Sequence, residues 1–235
     1  MTAGDNAEQV KVLRKIRSFV LRQGRSTKAQ DHALEKNWPV FGLSCDDQEL
    51  DFKKVFENPQ GKLILEIGFG NGHSLAQMAK GNPDKNYIGV EVHRPGVGAL
   101  LMEIERLAIT NIRCFHHDAI DVLKGSIPDH SLDTVQLFFP DPWPKNKHYK
   151  RRLVKTEFLD LLALKLKKDG IFHMATDWQD YARDAMKILA THGGFENTQQ
   201  GMSFSPRPES RPKTRFEQRG ENLGHGVFDL IFKKV

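Results

Sequence analysis

The sequence predicts an open α/β sheet of seven mostly parallel strands with helices on both faces, and three observations predict it. Apolar runs of strand length alternate with stretches of helical spacing from residue 62 onward, the pattern of parallel strands joined by crossover helices. The first run, Leu63 to Ile67, leads directly into Gly68, Gly70 and Gly72. That is a tight strand-to-helix turn whose missing Cβ atoms permit positive φ and a close approach to a ligand. Acidic residues then close the strands. Glu66, Glu91, Asp118, Asp141 and Asp177 each lie at or near the C-terminal end of an expected strand, the edge where open α/β sheets bind ligands.

The 235 residues, 39% hydrophobic and 28% charged, suffice for one such domain with short extensions. Two parts are expected: a basic N-terminal arm with a lead-in helix over 1–61, and the sheet domain over 62–235. Residues 1 to about 26 are polar and basic with few apolar anchors, which predicts a flexible arm. Ser26, Thr27 and Lys28 open a helix through Lys36 that Trp38-Pro39 ends. Asn58, Pro59 and Gly61 are turn formers before the first strand. The helix His73 to Lys80 follows the glycine turn, and Tyr87 to Val92 forms the second strand. Pro95 suits a first helical turn, and Val97 to Ala108 carries apolar residues at helical spacing. Strands are expected at Asn111 to His117, Leu132 to Phe139 and Gly170 to Ala175, with helices at Leu153 to Leu166 and Tyr181 to Leu189. Phe195 to Met202 and Val227 to Phe232 close the sheet, and Pro206 to Gly226 reads as a loop.

The bulk features exclude several classes. No apolar run approaches the ~20 residues that span a bilayer, and the N-terminus lacks the apolar core of a signal peptide, so a cytoplasmic location is expected. Cys45 and Cys114 are isolated thiols without disulfide or zinc spacing. His116, His117 and Asp118 stand next to one another on a strand, so neighbours point to opposite faces and no metal site is expected. The net charge of +5 permits a polyanionic partner. Basic residues crowd two segments, Arg14 to Lys28 and Lys145 to Arg152.

A dinucleotide fold needs G-x-G-x-x-G to seat a pyrophosphate on a helix N-terminus, whereas this turn reads G-x-G-x-G with Glu66 on the strand just before it. A carboxylate there repels a pyrophosphate and suits the cationic amino-acid moiety of S-adenosylmethionine. Glu91, 19 residues past Gly72, is placed to accept ribose hydroxyls. A nicotinamide-dependent reductase would need Tyr-x-x-x-Lys, but Tyr87, Tyr149 and Tyr181 are followed four residues on by Glu91, Leu153 and Ala185. In Phe138 to Lys145, read F-F-P-D-P-W-P-K, the prolines stiffen the loop and hold Asp141, Trp143 and Lys145 in set directions. An acid, an indole and an ammonium on one stiff loop can bind and stack on a flat base.

With these residues in hand, the sequence closely resembles bacterial tRNA (guanine-N7)-methyltransferases, the TrmB family of class I S-adenosylmethionine-dependent enzymes. The resemblance runs from about Arg17 to the C-terminus. It rests on R-S-F-V-L-R-Q-G-R at Arg17, E-I-G-F-G-N-G at Glu66, G-V-E-V-H at Gly89, F-P-D-P-W-P-K at Phe139 and T-R-F-E at Thr214. It implies a Rossmann-like methyltransferase fold with an antiparallel last strand, and methylation of the variable-loop guanine, position 46, of tRNA. It also implies that Glu66, Glu91, Asp118 and Asp141 contact the cofactor beside Gly68 and Gly70. Lys145, Asp177, Thr214, Arg215, Phe216 and Glu217 would contact the substrate. Lys147, His148, Tyr149, Lys150, Arg151 and Arg152 would contact RNA. A monomer without metal is expected.

Guanine N7 carries a lone pair and no proton, so methylation there needs no general base. Placement and charge carry the catalysis. Asp141 is assigned to stabilise the positive charge that develops on the purine, with Asp177 sharing that work and Trp143 offering a surface for the displaced base. The alternative is a protein of the same fold that binds RNA without catalysis.

Overall fold

The computed structural model describes residues 17–20, 24–213, 217 and 226–235. The first helix, α1 (Lys28–Phe41), opens on a capping box: the Thr27 hydroxyl accepts from the Gln30 N–H at 3.2 Å and the Gln30 side chain accepts from the Thr27 N–H at 2.8 Å, which satisfies two end donors at once. It continues past the expected end at Lys36, with Pro39 inside its last turn. Proline removes only one bond so near the end, and Trp38 and Phe41 pack on the core beneath. The helix stops at Gly42, whose N–H donates to the Trp38 carbonyl. A Cβ on Gly42 would lie 2.2 Å from the Trp38 ring.

Eight strands form one sheet among the described residues: β1 (Gly42–Leu43), β2 (Leu63–Ile67), β3 (Asn86–Glu91), β4 (Ile112–His116), β5 (Leu132–Phe138), β6 (Leu166–Thr176), β7 (Phe195–Asn197) and β8 (Phe228–Lys234). Their order is β1-β4-β3-β2-β5-β6-β8-β7. The strands from β1 to β6 pair in parallel, and β8 runs antiparallel to both β6 and β7. The expected seven-stranded sheet with an antiparallel last strand is thus present with one strand added, the short β1 on the outer edge. Two residues are too few to show a strand period.

The crossover helices are α3 (His73–Gly81), α4 (Arg94–Leu107), α5 (Ala119–Gly125), α6 (Thr156–Lys165) and α7 (Gln179–Thr191), with the short α2 (Phe52–Val55) ahead of β2. Alternate side chains of each strand feed opposite layers. Leu63, Leu65 and Ile67 join the core that α5, α6 and α7 cover, and Ile64 joins the one under α1, α3 and α4. Strand order reverses between β2 and β5, which pair with Leu65 opposite Val135. A crevice therefore opens beyond their C-terminal ends.

Candidate active site

The glycine turn leaves β2 at that crevice. Gly68, Gly70 and Gly72 have φ of 73°, 59° and 71°, conformations that side chains resist. The turn is tied to the next strand: the Gly68 N–H donates to the Val90 carbonyl at 2.8 Å, and the Gly70 N–H donates to Glu91 Oε2 at 2.8 Å. Glu91 Oε1 accepts from the Val92 and His93 N–H groups at 2.7 and 2.9 Å. The start of α4 packs directly on the turn, since a Cβ on Gly96 would fall 2.3 Å from the Gly70 carbonyl oxygen.

Glu66, two residues before Gly68 and on the α3 and α4 side of the sheet, is 3% exposed and its Oε2 has no hydrogen-bond partner. Burial, and then the charge of Glu91, push its carboxyl up to about 8. An unpartnered buried acid stays protonated at neutral pH.

The opposite wall comes from β5. A cavity of about 190 Å³ between the two loops is lined by Gly68, Glu91, Asp118, Phe139 and Asp141, among others. Asp118 also caps α5, its Oδ1 accepting from the Ile120 N–H at 3.0 Å. Phe139 takes φ 50° while its N–H still donates to the Ala175 carbonyl, so the chain turns out of the sheet just before Asp141. Asp141 is exposed.

Ser18 and Phe19 complete the cavity. The expectation of a flexible arm therefore fails for residues 17–20, which are held by side-chain donors: Trp143 Nε1 donates to the Ser18 carbonyl at 2.9 Å, and Arg151 Nε and Nη2 donate to the Arg17 and Phe19 carbonyls at 3.1 and 2.7 Å. The Arg151 guanidinium lies 3.9 Å over the Trp143 ring and His148 meets the same ring edge-on. The ring surface expected for a base is thus partly taken by the protein's own groups.

Residues Asn146–Arg151 form a 3-10 turn. Lys147 and Lys150 are exposed on it. Desolvation and the surrounding Lys147, Lys145, Arg151 and Lys150 hold His148 below its ordinary value. Arg152 differs from its neighbours: it is 4% exposed, donates to the Pro142 carbonyl and to Asp184, and stacks 3.7 Å over Tyr149. It braces the proline loop from behind.

A methyltransferase family model matches residues 60–230. The tRNA (guanine-N(7)-)-methyltransferase of Shewanella amazonensis is 51% identical over 235 residues, spanning 100% of this chain and 98% of that protein. The protein of the same name from Alcanivorax borkumensis is 54% identical over 227 residues, 97% of this chain and 95% of its own length. The chain belongs to the tRNA (guanine-N7-)-methyltransferase family. The crystal structure of the 16S rRNA methyltransferase KamB shares the fold, with a TM-score of 0.58 at 13% identity over 80% of this chain and 94% of that one.

Against that membership, the residues expected from sequence fall into groups. Gly68, Glu91, Asp118 and Asp141 meet at the cavity, whereas Gly70, tied to Glu91, and the buried Glu66 do not line it. Lys145 and Asp177 are exposed and line neither this cavity nor the basic one beside it. Thr214, Arg215 and Phe216 lie outside the described residues. Glu217 is 2% exposed and accepts from Arg211 at 2.7 and 2.8 Å; Arg211 also pairs with Asp229 at 2.9 Å, and Asp229 meets His173 Nε2 at 2.7 Å. Sequence reasoning missed Ser18, Phe19 and this buried network. The aromatic Phe19 inside a basic stretch was the available signal for the arm; nothing local marks Arg211 and Asp229 as partners. Among the described residues no group of three metal-ligating side chains comes together, and no helix is long and apolar enough to cross a membrane.

Proposed function

We propose that this protein transfers the methyl group of S-adenosylmethionine to N7 of a guanine in tRNA, the variable-loop guanine at position 46, as a cytoplasmic monomer. The observation that carries the cofactor assignment is Glu66: a buried carboxyl with an unpartnered oxygen beside a glycine turn fits a ligand with a cationic amino group. Residues 62–235 carry the catalysis in this reading, and 1–61 supply the RNA-facing arm and its lead-in helix.

S-adenosylmethionine, when bound, supplies an electrophilic methyl group. Glu66, Gly68 and Gly70 hold the amino-acid end, and Glu91 and Asp118 hold the nucleoside. Glu91 already accepts three N–H bonds; a carboxylate has about four acceptor sites, so it keeps room for one hydroxyl rather than two. Asp141, exposed at the rim, stabilises positive charge building on the purine and accepts from the N1 and N2 edge of guanine. Lys145, Asp177, Thr214, Arg215 and Phe216 are the substrate-side set, while Glu217, held at both oxygens by Arg211, serves the fold rather than the substrate. The basic turn supplies phosphate contacts, which position the RNA without reading its sequence.

The test is transfer of labelled methyl from S-adenosylmethionine to an unmodified tRNA transcript, followed by nucleoside analysis. One N7-methylguanosine in the variable loop is expected; label at another base overturns the substrate assignment. Asp141→Asn is expected to lower kcat by about a hundredfold or more with little change in tRNA affinity. Undiminished turnover in that variant removes the electrostatic role.

A further inference from the structure

Beside the cofactor cavity lies a second one of about 240 Å³, and the two share Ser18, Asp118 and Leu153 in their walls. Six cationic side chains line it: Arg17, Lys124, Lys150, Arg151, Arg152 and Lys155. Asp118 and Glu157 are its carboxylates, and Asp118 Oδ1 already caps α5. We propose that this cavity is a phosphodiester subsite, which seats the tRNA backbone next to the nucleotide whose base enters the cofactor site. The proposal rests on the tRNA reading above and adds to it a subsite that Lys124 and Lys155, outside the basic turn, help to build.

Two features beyond charge point to an anion. Arg152 is 4% exposed, yet its Nη2 has no hydrogen-bond partner. A buried guanidinium donor left unmatched is costly unless an acceptor completes it, and phosphate oxygens match the guanidinium fork. The N-terminus of α6 also opens here without a side-chain cap, because its cap residue is Lys155, which donates instead to the Lys150 carbonyl. Its orphan N–H groups add positive potential at the same wall.

The shared wall ties the anion to RNA. A phosphate beside Asp118 and Leu153 is next door to the place where the target base must lie, so it belongs to the strand that carries the base. The arm enters the same balance. Arg151 now donates to the Arg17 and Phe19 carbonyls, and an arriving phosphate competes with them for those donors. Seating the backbone is thereby coupled to loosening the strap over the cofactor cavity.

Lys124 is exposed at the end of α5, so replacing it leaves the fold intact. With the full-length chain and an unmodified tRNA transcript, Lys124→Gln is expected to weaken binding about fivefold and to flatten the slope of log affinity against log KCl by about 0.9. Lys124→Arg restores both, and affinity for S-adenosylmethionine alone is unchanged. Lys155→Gln is expected to act in the same direction. Wild-type affinity and slope in Lys124→Gln overturn the subsite. Failure of the wild type to methylate tRNA is a separate result: it removes the enzymatic reading, while the salt slope of tRNA binding still decides the subsite.

Discussion

A carboxyl buried without a partner, as Glu66 is at Oε2, responds to pH through its proton rather than its charge. Its folded value of about 8 stands above the ordinary 4.5. Between those limits the folded protein holds a proton that the unfolded chain has released, so stability is full below the lower limit and is lost as pH rises through the upper one. Glu66→Gln has no such proton. Its Tm without cofactor, measured by scanning calorimetry, is expected to exceed wild type by about 5 °C near pH 9 and to converge below about pH 5. Pairing with a cationic amino group favours the ionised form, so wild-type affinity for S-adenosylmethionine should rise with pH up to about 8; a flat profile argues against that pairing. Glu91 is the contrast, because backbone N–H groups satisfy both its oxygens.

At the scale of elements, the site depends on two stiff loops facing each other across β2 and β5. The glycine turn keeps its shape because Glu91 clamps Gly70 and α4 presses on it at Gly96. Gly96→Ala forces its methyl against the Gly70 carbonyl at 2.3 Å. That overpacking is expected to cost about 2 kcal/mol in urea unfolding and to weaken cofactor binding, because the clamped turn must shift. The proline loop is stiff by composition, but its direction comes from packing. Arg152 braces it through the Pro142 carbonyl, and Arg151 covers the Trp143 ring.

Over the whole molecule, the far ends of the chain are drawn to the same sheet edge. Residues 17–20 reach the cavity beside the glycine turn across more than a hundred residues of sequence through Trp143 and Arg151. From the other side, Arg211 joins Glu217 to Asp229 on β8, beneath Phe138 and Phe139. Burial alone would raise Asp229; the hydrogen bond from His173 and the Arg211 charge outweigh it and hold the carboxyl below its ordinary value. Arg211→Met removes the guanidinium that both buried carboxylates share, and a loss of about 3–5 kcal/mol is expected in denaturant unfolding. A loss below about 1 kcal/mol would mean that this network contributes little to stability.

The sheet class, the glycine turn, the acid row and the stiffness of the proline loop were all legible in the residues alone. These rest on local pattern: a strand period, positive φ at glycine and restricted φ at proline are properties of neighbours in the chain. Sequence reasoning misjudged the end of α1 and passed over β1 and α5, because packing on Trp38 and Phe41 outweighs the proline at 39, and two residues or a seven-residue helix show little periodicity. The strand-end pattern picked out Glu91, Asp118 and Asp141, and their meeting at one cavity follows from the strand-order reversal at β2 and β5. The folded chain alone shows that Ser18 and Phe19 line the cavity beside the glycine turn, that Glu217 is locked to Arg211, and that Lys124 and Lys155 share a cavity with Arg152. Each of those facts is a contact between segments far apart in sequence, set by how the sheet brings them together rather than by the residues beside them.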